Sequence, residues 1–215
     1  MHSAKRAILF CSVLLTAAFA GCATSLPRPS TPMAAPAAAV ERTPEPPVNP
    51  AVQRDFTDAL SAMKLGRYQD AERTLLALTR AHPELSGPYA NLGIVYFRLG
   101  KMPEATEALK KAIGINPDRA AYYNELGIVY RQNGQFDLAR DAYLKALRID
   151  PNYSGAHLNL GILYDLYLRE LDKALPRYER YQALLPAADA QVAKWIVDLK
   201  QRNQLAEKTA RRNGE

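Results

Sequence analysis

The sequence has 215 residues, 48% of them hydrophobic and 23% charged, with a formal net charge of +6 at pH 7. Subtracting Lys5 and Arg6, which lie in a segment with the pattern of an export signal, leaves +4, a mild excess that does not indicate a nucleic-acid binder, whose surface would carry a strongly basic face. Cys11 and Cys22 both lie near the N-terminus, so the rest of the chain has no thiol for a disulfide, metal site or nucleophile, and its fold must be held by apolar burial.

The first residues have the pattern of a cleavable export signal. The basic pair is followed by 14 mostly apolar residues at positions 7–20. That run is shorter than the roughly 20 helical residues needed to cross a bilayer, and it ends in small residues that suit signal cleavage. We therefore predict a signal peptide over residues 1–21.

The end of this segment, Phe19-Ala20-Gly21-Cys22, resembles the lipobox of bacterial lipoproteins. In that family the signal is cut before the cysteine, and the thiol then carries a diacylglycerol. The resemblance implies that Cys22 is lipidated. Ala23 stands where an aspartate would signal inner-membrane retention in enteric bacteria, which favours the outer membrane and its periplasmic face. An ordinary signal peptide with an unmodified Cys22 is the alternative.

Residues 22–51 are predicted to form a disordered linker. Eight of the 15 prolines lie between positions 23 and 50, among runs of Ala, Ser and Thr. Such a composition offers too little apolar surface to pack, and its prolines favour extended polyproline II. At about 3.1 Å per residue, the segment would act as a spacer that holds the folded part away from the membrane.

A 34-residue period runs through the rest of the chain. The string LGIVY occurs at 92–96 and 126–130, and LGILY follows at 160–164. The positions that keep the period are Gly66, Gly100 and Gly134; Ala71, Ala105, Ala139 and, one residue further on, Ala174; and Pro83, Pro117, Pro151 and, again one residue further on, Pro186. Self-similarity at this interval is typical of a solenoid of stacked units.

Each period has the pattern of two amphipathic helices joined by a turn. Leu92, Tyr96 and Leu99 lie at i, i+4 and i+7 before the turn glycine, and a second apolar stripe follows it. The glycine allows a turn that a side chain would hinder, and the proline ends the second helix. One such hairpin cannot bury its apolar stripe alone, so we predict that the hairpins stack.

These positions resemble the consensus of tetratricopeptide repeats. The third period matches nearly throughout, with Tyr123, Leu126, Gly127, Tyr130, Gly134, Phe136, Ala139, Tyr143, Ala146 and Pro151. The resemblance implies an all-α fold, a right-handed α-solenoid of about four helix hairpins over residues 52–186. The approximate repeats are 52–85, 86–119, 120–153 and 154–188.

The fourth repeat and the C-terminus depart from the pattern. The string DLYLRELD replaces the turn glycine with a segment one residue longer, and Pro176 falls inside the expected second helix. We predict a wider turn that displaces Tyr167 and Leu168, either through drift in a terminal repeat or as a local partner-binding bump. Residues 187–209 are predicted to form a capping helix, with Trp195 covering the stack, and residues 210–215 a tail.

No motif in the sequence indicates an enzyme or a cofactor site. His82 precedes a proline at a helix end, and His157 occupies a packing position of the repeat, so neither has the i, i+4 partner of a metal-binding helix. The sequence also lacks a phosphate-binding glycine cluster and a Gly-x-Ser-x-Gly elbow. We expect neither catalysis nor a bound metal or cofactor.

The resemblance implies a binding groove on the concave side, lined by the first helix of each repeat. The candidate residues are Phe56, Leu60, Asn91, Ile94, Phe97, Arg98, Asn124, Ile128, Arg131, Leu158, Asn159 and Ile162, with Glu125 and Asp165 beside them. The isoleucines share one register and would form an apolar floor. The asparagines would bond the backbone of an extended peptide, or else they simply follow the repeat consensus.

The function expected from these features is a non-enzymatic scaffold that binds a peptide or helix of an envelope assembly. Pilotins of type IV pilus secretins and other pilus-assembly lipoproteins resemble it in layout, as do adaptors for peptidoglycan hydrolases. The expected partners are envelope proteins in the groove and the membrane through Cys22, with no nucleic acid. A self-associating structural lipoprotein is an alternative of a different class.

Overall fold

The structure, a computed structural model, describes residues 49–213, and within that range it is entirely helical, with no β-strand. The predicted signal peptide, Cys22 and residues 22–48 of the predicted linker lie outside the described residues. The predicted all-α solenoid of helix hairpins is confirmed. Over residues 49–213 the stack contains four hairpins and a final helix.

The helices follow one another in antiparallel pairs, each packed on the next. Their bounds are α1 Pro50–Lys64 and α2 Tyr68–Ala81; α3 Ser86–Arg98 and α4 Met102–Ile115; α5 Ala120–Gln132 and α6 Phe136–Ile149; α7 Ser154–Ile162 and α8 Leu171–Ala183; and last α9 Ala190–Asn213. A π-helical turn, Leu163–Leu168, lies between α7 and α8. We call α1, α3, α5 and α7 the first helices, and α2, α4, α6 and α8 the second helices.

The regular turns inside the first three hairpins depend on glycine. Gly66, Gly100 and Gly134 have φ angles of +73°, +76° and +73°, in the left-handed region that other L residues rarely adopt. The residue after each glycine donates its N–H to the carbonyl five positions back, as from Lys101 to Tyr96 at 2.9 Å. This is the Schellman pattern, which satisfies a carbonyl left over at the helix end.

A second set of glycines brings the two helices of a hairpin close together. A Cβ added at Gly127 would lie 2.5 Å from the ring of Tyr143, so the ring occupies the space that a side chain would need. The same relation joins Gly93 to Leu109 and Gly161 to Tyr178. The periodic alanines Ala71, Ala105, Ala139 and Ala174 are fully buried. The small residues repeat every 34 positions because each copy lies where the two helices of a hairpin are in contact.

The stack begins and ends at capped helices. Asn49 accepts a hydrogen bond from the N–H of Ala51 at 2.9 Å, so α1 begins at Pro50, two residues before the predicted start of the repeats. Asp189 accepts from the N–H groups of Gln191 and Val192, so α9 begins at Ala190 rather than at 187. This helix continues to Asn213, beyond its predicted end at 209.

The final helix covers the end of the stack as predicted. Val192 and Leu199 are buried, and Ile196 packs against the same apolar cluster. The ring of Trp195 lies 5.7 Å from that of Tyr178, centroid to centroid. The apolar face of the last hairpin is thereby removed from water.

The fourth hairpin accommodates its extra residue as a π-helical turn. Glu170 donates its N–H to the carbonyl of Tyr164, six positions back, where the regular turns span five. Arg169 takes the place of the turn glycine with φ +59°, the one non-glycine residue at positive φ among those described. Pro176 is the sixth residue of α8, past the first-turn N–H groups that lack helical partners, so α8 loses one helical hydrogen bond there.

Candidate functional site

The candidate site is the face of the first helices. Each first helix contacts the next one, α1 with α3, α3 with α5 and α5 with α7, whereas the second helices make no comparable contacts with each other in residues 49–213. Closer spacing on one side of a stack places that side on the inside of the curve. The first helices therefore occupy the inner side, where the resemblance to tetratricopeptide repeats placed the groove.

The apolar candidates on this face are half-buried. Ile94, Ile128 and Ile162 occupy one register on α3, α5 and α7, and each keeps part of its surface exposed. Phe97 and Leu158 are also partly exposed, and 39% of the surface of Leu60 is exposed. Phe56 differs, because its ring fills the space beside Gly87 and joins α1 to α3.

The asparagines on this face are already hydrogen-bonded within the protein. Asn91 donates to the carbonyl of Gly87 in its own helix at 2.9 Å. Asn159 donates to the side-chain oxygen of Asn124 at 3.0 Å, which links α7 to α5. Asn124 in turn donates to Glu125 at 3.2 Å. Asn124 is buried, with 4% of its surface exposed, so it positions its neighbours and does not itself line the groove as expected.

Glu125 is a partly desolvated carboxylate in the middle of this face. Burial raises the pKa of its carboxyl group, while the hydrogen bond from Asn124 and the nearby charge of Arg98 lower it. Arg98 is exposed and lies outside ion-pair distance of Glu125 among the described contacts. The centre of the face therefore carries the carboxyl group of Glu125, which accepts a hydrogen bond from the side-chain amide of Asn124.

Arg131 lies at the end of α5, beside the π-helical turn. Its Nε donates to the hydroxyl of Tyr143 at 3.3 Å, and its Nη1 donates to the hydroxyl of Tyr167 at 3.4 Å. The guanidinium lies 5.6 Å from the centre of the Tyr167 ring, which in turn lies 5.0 Å from the ring of Phe136. Sequence reasoning missed this cluster, although the one-residue insertion before Arg169 was its signal.

Asp165 does not line an open groove as expected. It is buried, and Arg202 of α9 donates to its Oδ1 at 2.7 Å while the hydroxyl of Tyr178 donates to its Oδ2 at 3.4 Å. Burial and the neighbouring carboxylate raise the pKa of Tyr178, so the phenol stays protonated. Arg202 also pairs with Asp198 at 2.8 Å. The final helix thus neutralises this acid.

His157 has a structural role, and the described residues contain neither a grouped set of metal ligands nor a helix suited to crossing a membrane. His157 Nε2 lies 3.0 Å from the carbonyl oxygen of Pro151, and burial lowers the pKa of its imidazole. Over residues 49–213, no three or more His, Cys, Asp or Glu side chains are grouped to hold a metal ion. In the same range, no helix combines the length and apolar character that crossing a membrane requires.

Comparison with known families agrees with this geometry. Residues 88–152 and 142–175 match two family models, each described as a tetratricopeptide repeat. Together the two matches span residues 88–175. Such repeats generally form non-catalytic scaffolds that bind partner proteins through an inner groove. No curated protein sequence matches the chain.

Several solved structures share the fold. PilF of Pseudomonas aeruginosa has a TM-score of 0.66 at 20% identity, with 72% of this chain and 69% of PilF covered. MamA of Desulfovibrio magneticus RS-1 has a TM-score of 0.62 at 18% identity, with coverages of 77% and 92%. An O-GlcNAc transferase of Thermobaculum terrenum has a TM-score of 0.56 at 25% identity, and the match covers 61% of this chain and 26% of the enzyme. At these identities PilF and MamA show the tetratricopeptide-repeat solenoid and no more.

Proposed function

We propose that this protein is a non-enzymatic scaffold that binds a peptide or helix of an envelope assembly on the face of its first helices. The observation that carries the proposal is the row Ile94, Ile128 and Ile162. These side chains lie at one register on the inner side of a tetratricopeptide-repeat stack, and each remains partly exposed. A continuous, half-exposed apolar row with polar groups beside it suits a partner segment.

The cellular setting is the second part of the proposal. The signal-like segment and the lipobox resemblance at Cys22 support a lipid anchor in the outer membrane, with the folded part in the periplasm. A linker rich in proline would give the repeats reach from that anchor. Pilus or secretin biogenesis is the assembly we favour, from the resemblance in layout to pilotin-type lipoproteins. An adaptor for peptidoglycan hydrolases is the alternative.

The groove is tested with two matched substitutions in the full-length protein, expressed with an affinity tag in its native bacterium. Ile128→Glu places a charge on the inner face, whereas Leu138→Glu places one on α6, where 45% of the leucine surface is exposed. We expect the first variant to lose co-purifying envelope proteins, measured by quantitative mass spectrometry, and the second to retain them. Equal recovery from both variants would overturn the groove.

The anchor is tested separately. We expect wild-type cells to incorporate labelled palmitate into the protein and to place it in the outer-membrane fraction. Cys22→Ala should abolish both. Labelling that persists in the variant, or a wild-type protein without label, would contradict lipidation at this position while leaving the groove untouched.

A further inference from the structure

Arg131 is a cation without a carboxylate partner in residues 49–213. Its hydrogen bonds run to two phenol hydroxyls, and none is recorded for its Nη2 atom. Arg202 offers the contrast, because it pairs with both Asp165 and Asp198. A guanidinium that is partly withdrawn from water and lacks an anion gains more binding free energy from a carboxylate than a fully solvated guanidinium does.

The insertion in the fourth repeat builds an apolar surface next to this cation. The π-helical turn exposes 60% of Leu166 and 40% of Tyr167. Tyr167 is held over Arg131 by its hydroxyl and its ring, and against Phe136 by ring contact. The exposed tyrosine therefore stands beside the guanidinium in a fixed arrangement, and the exposed leucine precedes it in the same turn. We call Arg131, Leu166 and Tyr167 the π-turn patch.

The charges on the elements around the patch favour an anion. On α5, Glu125 lies six residues before Arg131, about 9 Å along the helix, and it is bonded to Asn124. On the π-helical turn, Asp165 is neutralised by Arg202 from α9. On α6, the acid Asp137 pairs with Arg140 at 2.9 Å. Arg169 adds a further exposed cation directly after the turn.

We propose that the π-turn patch binds an acidic side chain, flanked by an apolar residue, in a partner peptide. The carboxylate would accept hydrogen bonds from the free edge of the Arg131 guanidinium, and the apolar neighbour would pack on Leu166 and Tyr167. This inference rests on the proposed function, since it specifies the chemistry of a segment lying along the first helices. It also assigns a binding role to the irregularity of the fourth repeat.

The probe is a displayed library of random peptides of about 12 residues, which reach about 40 Å when extended. Peptides are selected on the full-length chain and then synthesised, together with versions in which each Asp or Glu is replaced by Asn or Gln. We expect selection to enrich an acid next to Leu, Ile or Phe. The amide versions should bind the wild-type protein about tenfold more weakly or worse.

Variants locate the contact on the protein. Arg131→Gln should weaken the acidic peptides about tenfold and leave the amide versions unaffected, while Arg73→Gln, at the exposed pair with Asp70 on α2, should change neither. Tyr167→Ala serves as a second variant should Arg131→Gln perturb folding, which circular dichroism would show. It should reduce binding of both versions, because the apolar contact is shared.

The outcomes separate this inference from the proposed function. Peptides that need Ile128 but carry no acid, or that bind Arg131→Gln normally, overturn the π-turn patch and leave the groove standing. Peptides rich in lysine or arginine also overturn the patch. The absence of any selected peptide counts against both proposals. A wild-type dimer in sedimentation that Tyr167→Ala dissolves would identify a second copy as the occupant, and it would overturn the peptide partner.

Discussion

The third and fourth hairpins have the same packing but different turns. In both, an aromatic ring from the second helix fills the space over a glycine of the first, Tyr143 over Gly127 and Tyr178 over Gly161. The third then turns through Gly134, whereas the fourth turns through six π-helical residues and Arg169. The contact between the two helices of a hairpin therefore tolerates an irregular turn. In the fourth hairpin this turn leaves Leu166 and Tyr167 exposed.

The fourth hairpin also depends on the final helix in a way that the third does not. The ion pair between Arg202 and Asp165 joins α9 to the π-helical turn, with only 5% of the Asp165 side chain exposed. Removing one partner of a buried pair leaves an uncompensated charge. Substitutions in these hairpins can therefore separate the contact that both share from the contacts that distinguish them.

The largest effect should come from breaking the pair that distinguishes the fourth hairpin. We expect Arg202→Ala to lower the free energy of unfolding by about 3 kcal/mol in urea titrations. The matched control is Lys200→Ala, which removes an exposed pair with Glu179 and should cost at most about 1 kcal/mol. Adding Asp165→Asn to Arg202→Ala should recover part of the loss, and no recovery would mean that charge burial is not the cause.

An intermediate effect should come from the contact that the hairpins share. Gly127→Ala places a methyl group against the Tyr143 ring, so we expect a loss of about 1–3 kcal/mol in thermal or urea unfolding. Gly114→Ala is the control, because no side chain or other helix lies within 4 Å of a Cβ built there and the position is helical. It should stabilise by about 0.5 kcal/mol. Equal effects at the two positions would contradict close packing at Gly127.

The smallest effect should come from the turn residue itself. Arg169→Gly removes the cost of a left-handed conformation at a non-glycine residue, so we expect stabilisation by about 1 kcal/mol. The reverse change, Gly134→Ala, should destabilise by a similar amount, although no atom lies near its Cβ position. A destabilised Arg169→Gly would show that the arginine side chain makes a contact that outweighs the backbone strain.

The periodic positions allowed much of this fold to be predicted from the sequence. Glycine and alanine at fixed spacing specify where helices approach each other, and these constraints are local to a hairpin, as at Gly93 and Ala105. The extra residue before Arg169 indicated a wider turn, and the structure resolves it as a π-helical turn. The sequence signal for the first-helix face was the register of the isoleucines.

The polar contacts of the site could not be predicted in the same way. The bonds from Asn159 to Asn124 and from Arg202 to Asp165 join residues 35 and 37 positions apart. A repeat pattern specifies which helices are neighbours. It does not specify which polar side chains of those helices form hydrogen bonds or ion pairs with each other. The consensus therefore placed Asn124 and Asp165 in the groove, and burial against neighbouring elements removed both from it.

The dependence of each hairpin on its neighbours is tested most directly in Leu109→Ala, read through two signals. Leu109 is fully buried in a cluster with Ala105, Leu126 and Val129, and Trp195, the single tryptophan, packs in a different cluster at the other end. We expect the urea midpoints of Trp195 fluorescence and of far-ultraviolet circular dichroism to fall together, by about 1–2 M. A Trp195 midpoint that stays at the wild-type value while the helical signal is lost earlier would show that the last hairpin and α9 are stable without the stack.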